Sequence, residues 1–138
     1  MSQENVEVVG VGIDVFQAGL ERGEFGAAFD AGFLHADIEW IQAPEISART
    51  TRGREEFIES LKRWTEGFDR WTYEIEQLID AGDGRLVAMH RQSAMGSGSQ
   101  VPVELRFATV YGLENGSVVR TRNYLDPADA LKAAGRRE

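Results

Sequence analysis

Glu104 and Arg106 stand two residues apart in the stretch VPVELRFATVYGLENGSVVRTRNYLD, and together they are the pair most suited to chemistry. Alternation puts Val103, Leu105, Phe107, Thr109 and Tyr111 on one side of a strand and Glu104, Arg106, Ala108 and Val110 on the other. An acid and a guanidinium among small apolar residues suit a pocket wall, with Glu104 as general base and Arg106 steadying an anionic group or oxyanion. At roughly 6 to 7 Å between same-face Cα atoms they suit an ordinary ion pair equally well. His90 is the second candidate base. It lies in a run that is apolar on both sides, so its face stays open, and a hydrogen-bonded structural histidine is the plainer reading. His35 falls at a strand entrance, where exposure is expected.

Other chemistries lack their residues. There is no cysteine, hence no thiolate nucleophile, disulfide or zinc–cysteine site. Neither histidine has a second ligand at metal spacing and HExxH is absent, so no metal is expected. Gly10-Val11-Gly12 begins a dinucleotide fingerprint whose third glycine would fall where Val15 stands. No cofactor is therefore expected. Gly96-Ser97-Gly98-Ser99 reads as a loop, since no helix follows it to form a phosphate cradle.

The chain of 138 residues reads as one domain, residues 1–138, and its net charge of −8 argues against nucleic acid as a partner. With no apolar run of about 18 residues, no membrane span is expected. The start, MSQENVEVV, lacks a basic region, so a cytoplasmic protein is expected.

The elements that must position these groups follow from periodicity. Ser2 can cap a helix in which Val6, Val9, Ile13, Phe16 and Leu20 recur at three and four residues, although Gly10 and Gly12 weaken it by about 1 kcal/mol each. A shorter helix covers Phe25 to Phe33. His35 to Ala43 alternates as a first strand with Ile38, Trp40 and Gln42 on one face, and a loop runs from Ser47 to Arg52. Glu55 and Glu56 open a helix whose stripe is Phe57, Leu61, Trp64 and Phe68. Strands are expected from Trp71 to Ile79 and from Arg85 to Ala94 around a Gly82-Asp83-Gly84 turn. Asn115-Gly116 fits a type I′ hairpin turn, and Asp126, Pro127 and Gly135 punctuate a terminal helix. Strands gathered after helices indicate an α+β domain with an antiparallel sheet.

The strings FLHADIEW, TRGREEFIESLKRW, LIDAGDGRLVAMHRQ and VELRFATVYGLENGSVVRTRNYLD, in that order, resemble a SnoaL-like member of the nuclear transport factor 2 (NTF2-like, ketosteroid-isomerase-like) superfamily over nearly the whole chain. The resemblance implies a cone-shaped NTF2-like (cystatin-like) fold. A strongly bent, mainly antiparallel sheet would wrap around the N-terminal helices, with a pocket inside and a homodimer through the outer sheet face, where Phe107 and Tyr111 are expected. Ketosteroid isomerases carry a Tyr on the first helix and two Asp residues on strands. Matching those positions to this chain finds Phe16, Gln42 and Ala108, none able to move a proton. Glu104 and Arg106 resemble part of the Asp, Arg, Asp arrangement of the superfamily's epoxide hydrolases.

Phe16, Trp40, Gln42, Arg106, Ala108 and Asn123 are thus the expected ligand-binding residues, with Thr121 and Val119 sharing the face of Asn123 and with Arg120, Arg122 and Tyr124 facing outward. The leading expectation is a binder of a small, mostly apolar organic ligand. The alternative is an acid–base enzyme of the polyketide cyclase, isomerase or epoxide hydrolase type using Glu104 or His90 with Arg106. A third is a dimeric interaction module whose cavity is filled, leaving no pocket of about 300 Å³ or more.

Overall fold

The computed structural model describes residues 2–42, 50–66, 68–96 and 101–135, the side chains of 2–4, 64–65, 68–71 and 73 excepted. The Ser2 cap and the Trp64 member of the helical stripe rest on side chains outside that description, and the Ser97-Gly98-Ser99 loop lies outside it too. Phe68, expected on the same stripe, falls beyond the helix end at Glu66 and is the first residue of a strand.

Helix α1 (Ser2–Arg22) buries Val9 and Ile13 and packs Val6, Phe16 and Leu20 against the same core, so its three-and-four spacing forms one apolar stripe. Its glycines differ in what they do. A Cβ at Gly12 would lie 2.1 Å from the Phe33 ring, whereas one at Gly10 would meet nothing within 4 Å. Gly12 is a close-approach site that admits an aromatic side chain; nothing in the structure explains Gly10. A turn leads to α2 (Ala27–Asp30), shorter than the sequence predicts, and then to β1 (Leu34–Ile41).

Strand β2 (Thr50–Arg52) falls within the expected loop. It pairs antiparallel with β1, Trp40 opposite Thr51. Helix α3 (Gly53–Glu66) follows with Glu55 and Glu56 in its first turn, where they complement the helix dipole. Four long strands succeed it: β3 (Phe68–Gly82), β4 (Arg85–Gly96), β5 (Pro102–Glu114) and β6 (Ser117–Tyr124). The β5–β6 turn has Asn115 at φ 52° and Gly116 at φ 79°, the positive pair a type I′ hairpin requires. Helix α4 (Pro127–Ala133) closes the chain, with the Asp126 carboxylate accepting from the Ala128 N–H at 2.9 Å.

The sheet runs β2-β1-β6-β5-β4-β3, antiparallel except for the β1–β6 pair, and its ends do not meet. Register shifts between Ile75 and Gln77, Asp80 and Gly82, and Gly112 and Leu113 each add local bend, curving the sheet around α1–α3. The main core fills the concave side, where Leu86, Ala88, Tyr111 and Val118 meet Val9, Ile13, Phe57 and Leu61.

The convex side has a second, smaller core. Ala130 and Ala134 of the terminal segment sit on Val87 and Ala108, flanked by Val110, Met89 and Tyr124. Beyond it the outer surface carries an ion-pair ladder: Arg106 to Glu76 at 3.4 Å, Arg91 to Glu104 at 3.8 Å, and Arg91 hydrogen-bonded to Glu74. That hydrogen bond holds the Arg91 guanidinium above its ordinary pKa.

The ladder corrects the expected facing of the hairpin strand. Glu104 and Arg106 point outward, with side chains 55% and 65% exposed, and Ala108 is buried beneath α4, not in the concave space. Phe107, Thr109 and Tyr111 face inward and are buried. Two forces set this orientation. Charges turned inward would lose hydration with no opposite charge to meet them, while Glu76 and Arg91 await them outside. Ala108 is small because a helix lies on it. The homodimer expectation loses its two outward aromatics by the same correction.

Candidate functional site

A cavity of about 90 Å³ lies between the concave sheet and the helices. Helix α1 contributes Ile13 and Phe16, and α3 contributes Phe57 and Leu61 one turn apart. Trp40 and Gln42 enter from β1 and the residue following it, alternating with Ile41. Phe57 is the centre of the aromatic wall: its ring meets Trp40 at 4.9 Å, Phe29 at 5.4 Å and Phe16 at 6.4 Å between centroids. Phe16, Trp40, Gln42 and Asn123 are half-buried and form the mouth, whereas His90, Thr109 and Tyr111 are buried deeper.

Strand register assembles the polar groups. Thr109 lies directly opposite Asn123, and His90, opposite Phe107, is the diagonal neighbour of Thr109. Side chains bridge these offsets. His90 Nε2 is 2.6 Å from Thr109 Oγ1, and the Thr109 hydroxyl donates to Asn123 Oδ1 at 2.9 Å. A hydroxyl has one proton to give, so with that proton on Asn123 the His90 Nε2–H is the donor to Thr109. The Phe107 ring stands edge-on to the imidazole at 5.6 Å. Burial pushes the His90 pKa down to about 4, leaving the ring neutral at pH 7.

Among the described residues, the cavity lining contains no Asp, Glu, Lys or Arg. None of them form a cluster of three or more His, Asp or Glu able to hold a metal. Of the sequence-predicted site residues, the structure brings together Phe16, Trp40, Gln42, Asn123 and His90 at this cavity and leaves Glu104, Arg106 and Ala108 on the far side of the sheet. The Glu104–Arg106 catalytic pair is thereby corrected to part of a surface ladder. Thr121 reaches the cavity as expected, but Val119 does not share its face: Leu113 pairs with Val118 and Gly112 with Arg120, so Val119 is the extra residue of a bulge. Sequence reasoning missed Gln92, Phe107, Thr109 and Tyr111 as lining. The signal was available in the two-residue steps from His90 to Gln92 and from Phe107 through Thr109 to Tyr111.

The sequence matches the SnoaL-like domain model over residues 14–121, from within α1 to β6. The chain belongs to the SnoaL-like family. No curated protein matches it. A protein of Jannaschia sp. CCS1, described as a SnoaL-like polyketide cyclase, superposes with a TM-score of 0.73 at 19% identity, covering 99% of this chain and 95% of that one. TerC, co-crystallised with polyporic acid, gives 0.71 at 17% identity over 96% and 98%. A Catenulispora acidiphila protein of ketosteroid isomerase-like fold, in complex with trimethylamine, gives 0.68 at 15% identity over 91% and 93%. These likenesses establish the SnoaL-like, NTF2-like fold. Within this SnoaL-like chain, no helix among the described residues is long and apolar enough to cross a membrane.

Proposed function

We propose that this SnoaL-like chain binds a small, uncharged, mostly apolar organic molecule inside the cone and does not turn it over. The observation that carries this reading is the cavity wall itself, built of aromatic and aliphatic side chains with uncharged polar groups and, among the described residues, no charged one. Acid–base chemistry in relatives of this fold depends on ionisable groups placed against the substrate. The imidazole of the lining, His90, has a pKa of about 4 and gives its Nε2 proton to Thr109, so it is a weak base at neutral pH. At about 90 Å³ the cavity falls below the 300 Å³ or so that separates a ligand pocket from the filled cone of an interaction module, so size alone favours the module. The binding reading rests on the lining and is confined to a compact molecule of few heavy atoms. The trimethylamine and polyporic acid complexes of similar folds support ligand holding as a use of this architecture.

The test is a thermal-shift screen against small neutral ketones, ethers and hydrocarbons. A true ligand at a hundred times its dissociation constant adds about 2.7 kcal/mol to folding stability. Failure of every compact compound to raise the midpoint would overturn the reading in favour of an interaction module with a filled cone.

A homodimer through the outer sheet face belongs to the same proposal, now supported by the ladder of Glu76, Arg91, Glu104 and Arg106, which carries both signs and so can complement itself across a two-fold axis. Sedimentation at micromolar concentration should give twice the 15.3 kDa chain mass, and a monomer refutes it.

A further inference from the structure

We infer that the pocket recognises a carbonyl oxygen, through an Asn123 side-chain N–H held in place by a hydrogen-bond relay from His90 through Thr109. This deepens the binding reading and rests on it. Donor direction is fixed by the Thr109–Asn123 bond, which uses the one hydroxyl proton and leaves the contact with His90 to be made by its Nε2–H. His90 Nε2–H donates to Thr109 Oγ1 at 2.6 Å, and the Thr109 hydroxyl donates to Asn123 Oδ1 at 2.9 Å. With its oxygen taken, the amide turns its nitrogen and two protons away from Thr109. Asn123 lines the cavity and is half-buried at its mouth, so those protons face the space a ligand enters. Thr109 and Asn123 are register partners on β5 and β6, which keeps the amide from swinging out with the loop that follows.

The chemical class of the ligand follows. A donor with no opposing charge, framed by Phe16 and Trp40, suits a neutral acceptor on an apolar body. A ketone or an ester satisfies the donor; a carboxylate would enter a lining without a cation among the described residues. His90 and Thr109 act here as positioning residues, because they reach the ligand only through Asn123.

Two measurements on the full chain test this. Long-range proton–nitrogen NMR of the imidazoles should show His90 as the Nε2–H tautomer. An Nδ1–H tautomer would make Thr109 the donor to His90 and reverse the amide, overturning the relay whatever the ligand does. Cyclopentanone and methylenecyclopentane have the same shape and differ in the acceptor, so their affinities by NMR titration isolate the contact. The ketone should bind about tenfold tighter to the unaltered protein, as expected for one well-made hydrogen bond. Asn123→Leu should erase that preference, read as the ratio of the two affinities within the variant. Thr109→Val should shrink the preference while keeping Asn123. Equal affinity of the two compounds, or a preference that survives Asn123→Leu, overturns the assignment. Binding of neither compound overturns the pocket reading and the ligand contact with it; an Nε2–H tautomer in that same sample would place the failure in the pocket and leave the relay standing.

Discussion

Phe57→Ala should destabilise the protein by about 3 to 5 kcal/mol, the range for removing a buried aromatic ring when its surroundings cannot collapse. Phe57 is 6% exposed, and α3 places it against rings from three other elements: Phe16 on α1, Phe29 on α2 and Trp40 on β1. Collapse is opposed on every side. Trp40 is held by pairing of β1 with β2 and β6, and Phe29 is pinned under the Arg54 guanidinium at 5.3 Å, itself bonded to Asp30 at 3.0 Å. Phe57→Leu keeps most of the volume and should cost about 1 kcal/mol or slightly more. By contrast Arg106→Ala, which removes an exposed ion pair, should change stability by less than about 1 kcal/mol. Urea unfolding of the three variants decides it. A loss under about 1.5 kcal/mol for Phe57→Ala would show that the aromatic wall relaxes freely and does not define the cavity.

The contrast between Phe57 and Arg106 also shows what was legible in the sequence. Helical spacing identified the stripe containing Phe57, Asn115-Gly116 identified the hairpin, and Asp126 with Pro127 identified the last helix, because each signal is local and the backbone obeys it directly. The facing of β5 was not legible in that way. Its two sides are both partly apolar, one because it meets the helices and the other because α4 covers Ala108 and Val110. With α4 unplaced, small apolar residues beside Glu104 and Arg106 resemble a pocket wall. The partners that settle the matter, Glu76 and Arg91, lie on other strands. A period of two offers no partial credit: a wrong choice of face moves every side chain of the strand to the wrong side. Bulges blur the pattern further, as Val119 shows, and Thr50–Arg52 is a strand only because β1 lies beside it. The site was readable in part for the same reason. Trp40 and Asn123 stand on strands whose opposite side is marked by charge, Glu39 on β1 and Arg120 and Arg122 on β6, and Gln42 continues the β1 alternation. Thr109, by contrast, looks like an ordinary strand residue until His90 and Asn123 are brought to it.

His90 gives the second large effect, and pH reveals it. Burial lowers its folded-state pKa from 6.5 to about 4, while in the unfolded chain the imidazole titrates near 6.5. Between those values the unfolded state binds a proton that the folded state refuses. Stability therefore rises with pH across this window: it is full above about pH 6.5, falls as pH drops, and levels off below about pH 4 as far as this group is concerned. Each pH unit between the two values is worth about 1.36 kcal/mol, so the loss approaches about 3 kcal/mol. Nothing in the pocket softens it, since no carboxylate among the described residues lines the cavity to welcome an imidazolium. Carboxylates of the surface ion pairs add their own loss at acid pH, so the informative quantity is the difference between the protein and His90→Gln. Glutamine can still donate to Thr109 but does not titrate. Urea unfolding at pH 7.5 and pH 4.5 should show the unaltered chain losing about 2 to 3 kcal/mol more than the variant. A direct check is the NMR titration of the His90 ring protons. A midpoint near 6.5 in the folded protein would mean that water reaches the ring, and would remove both the pH effect and the case for a dry pocket floor.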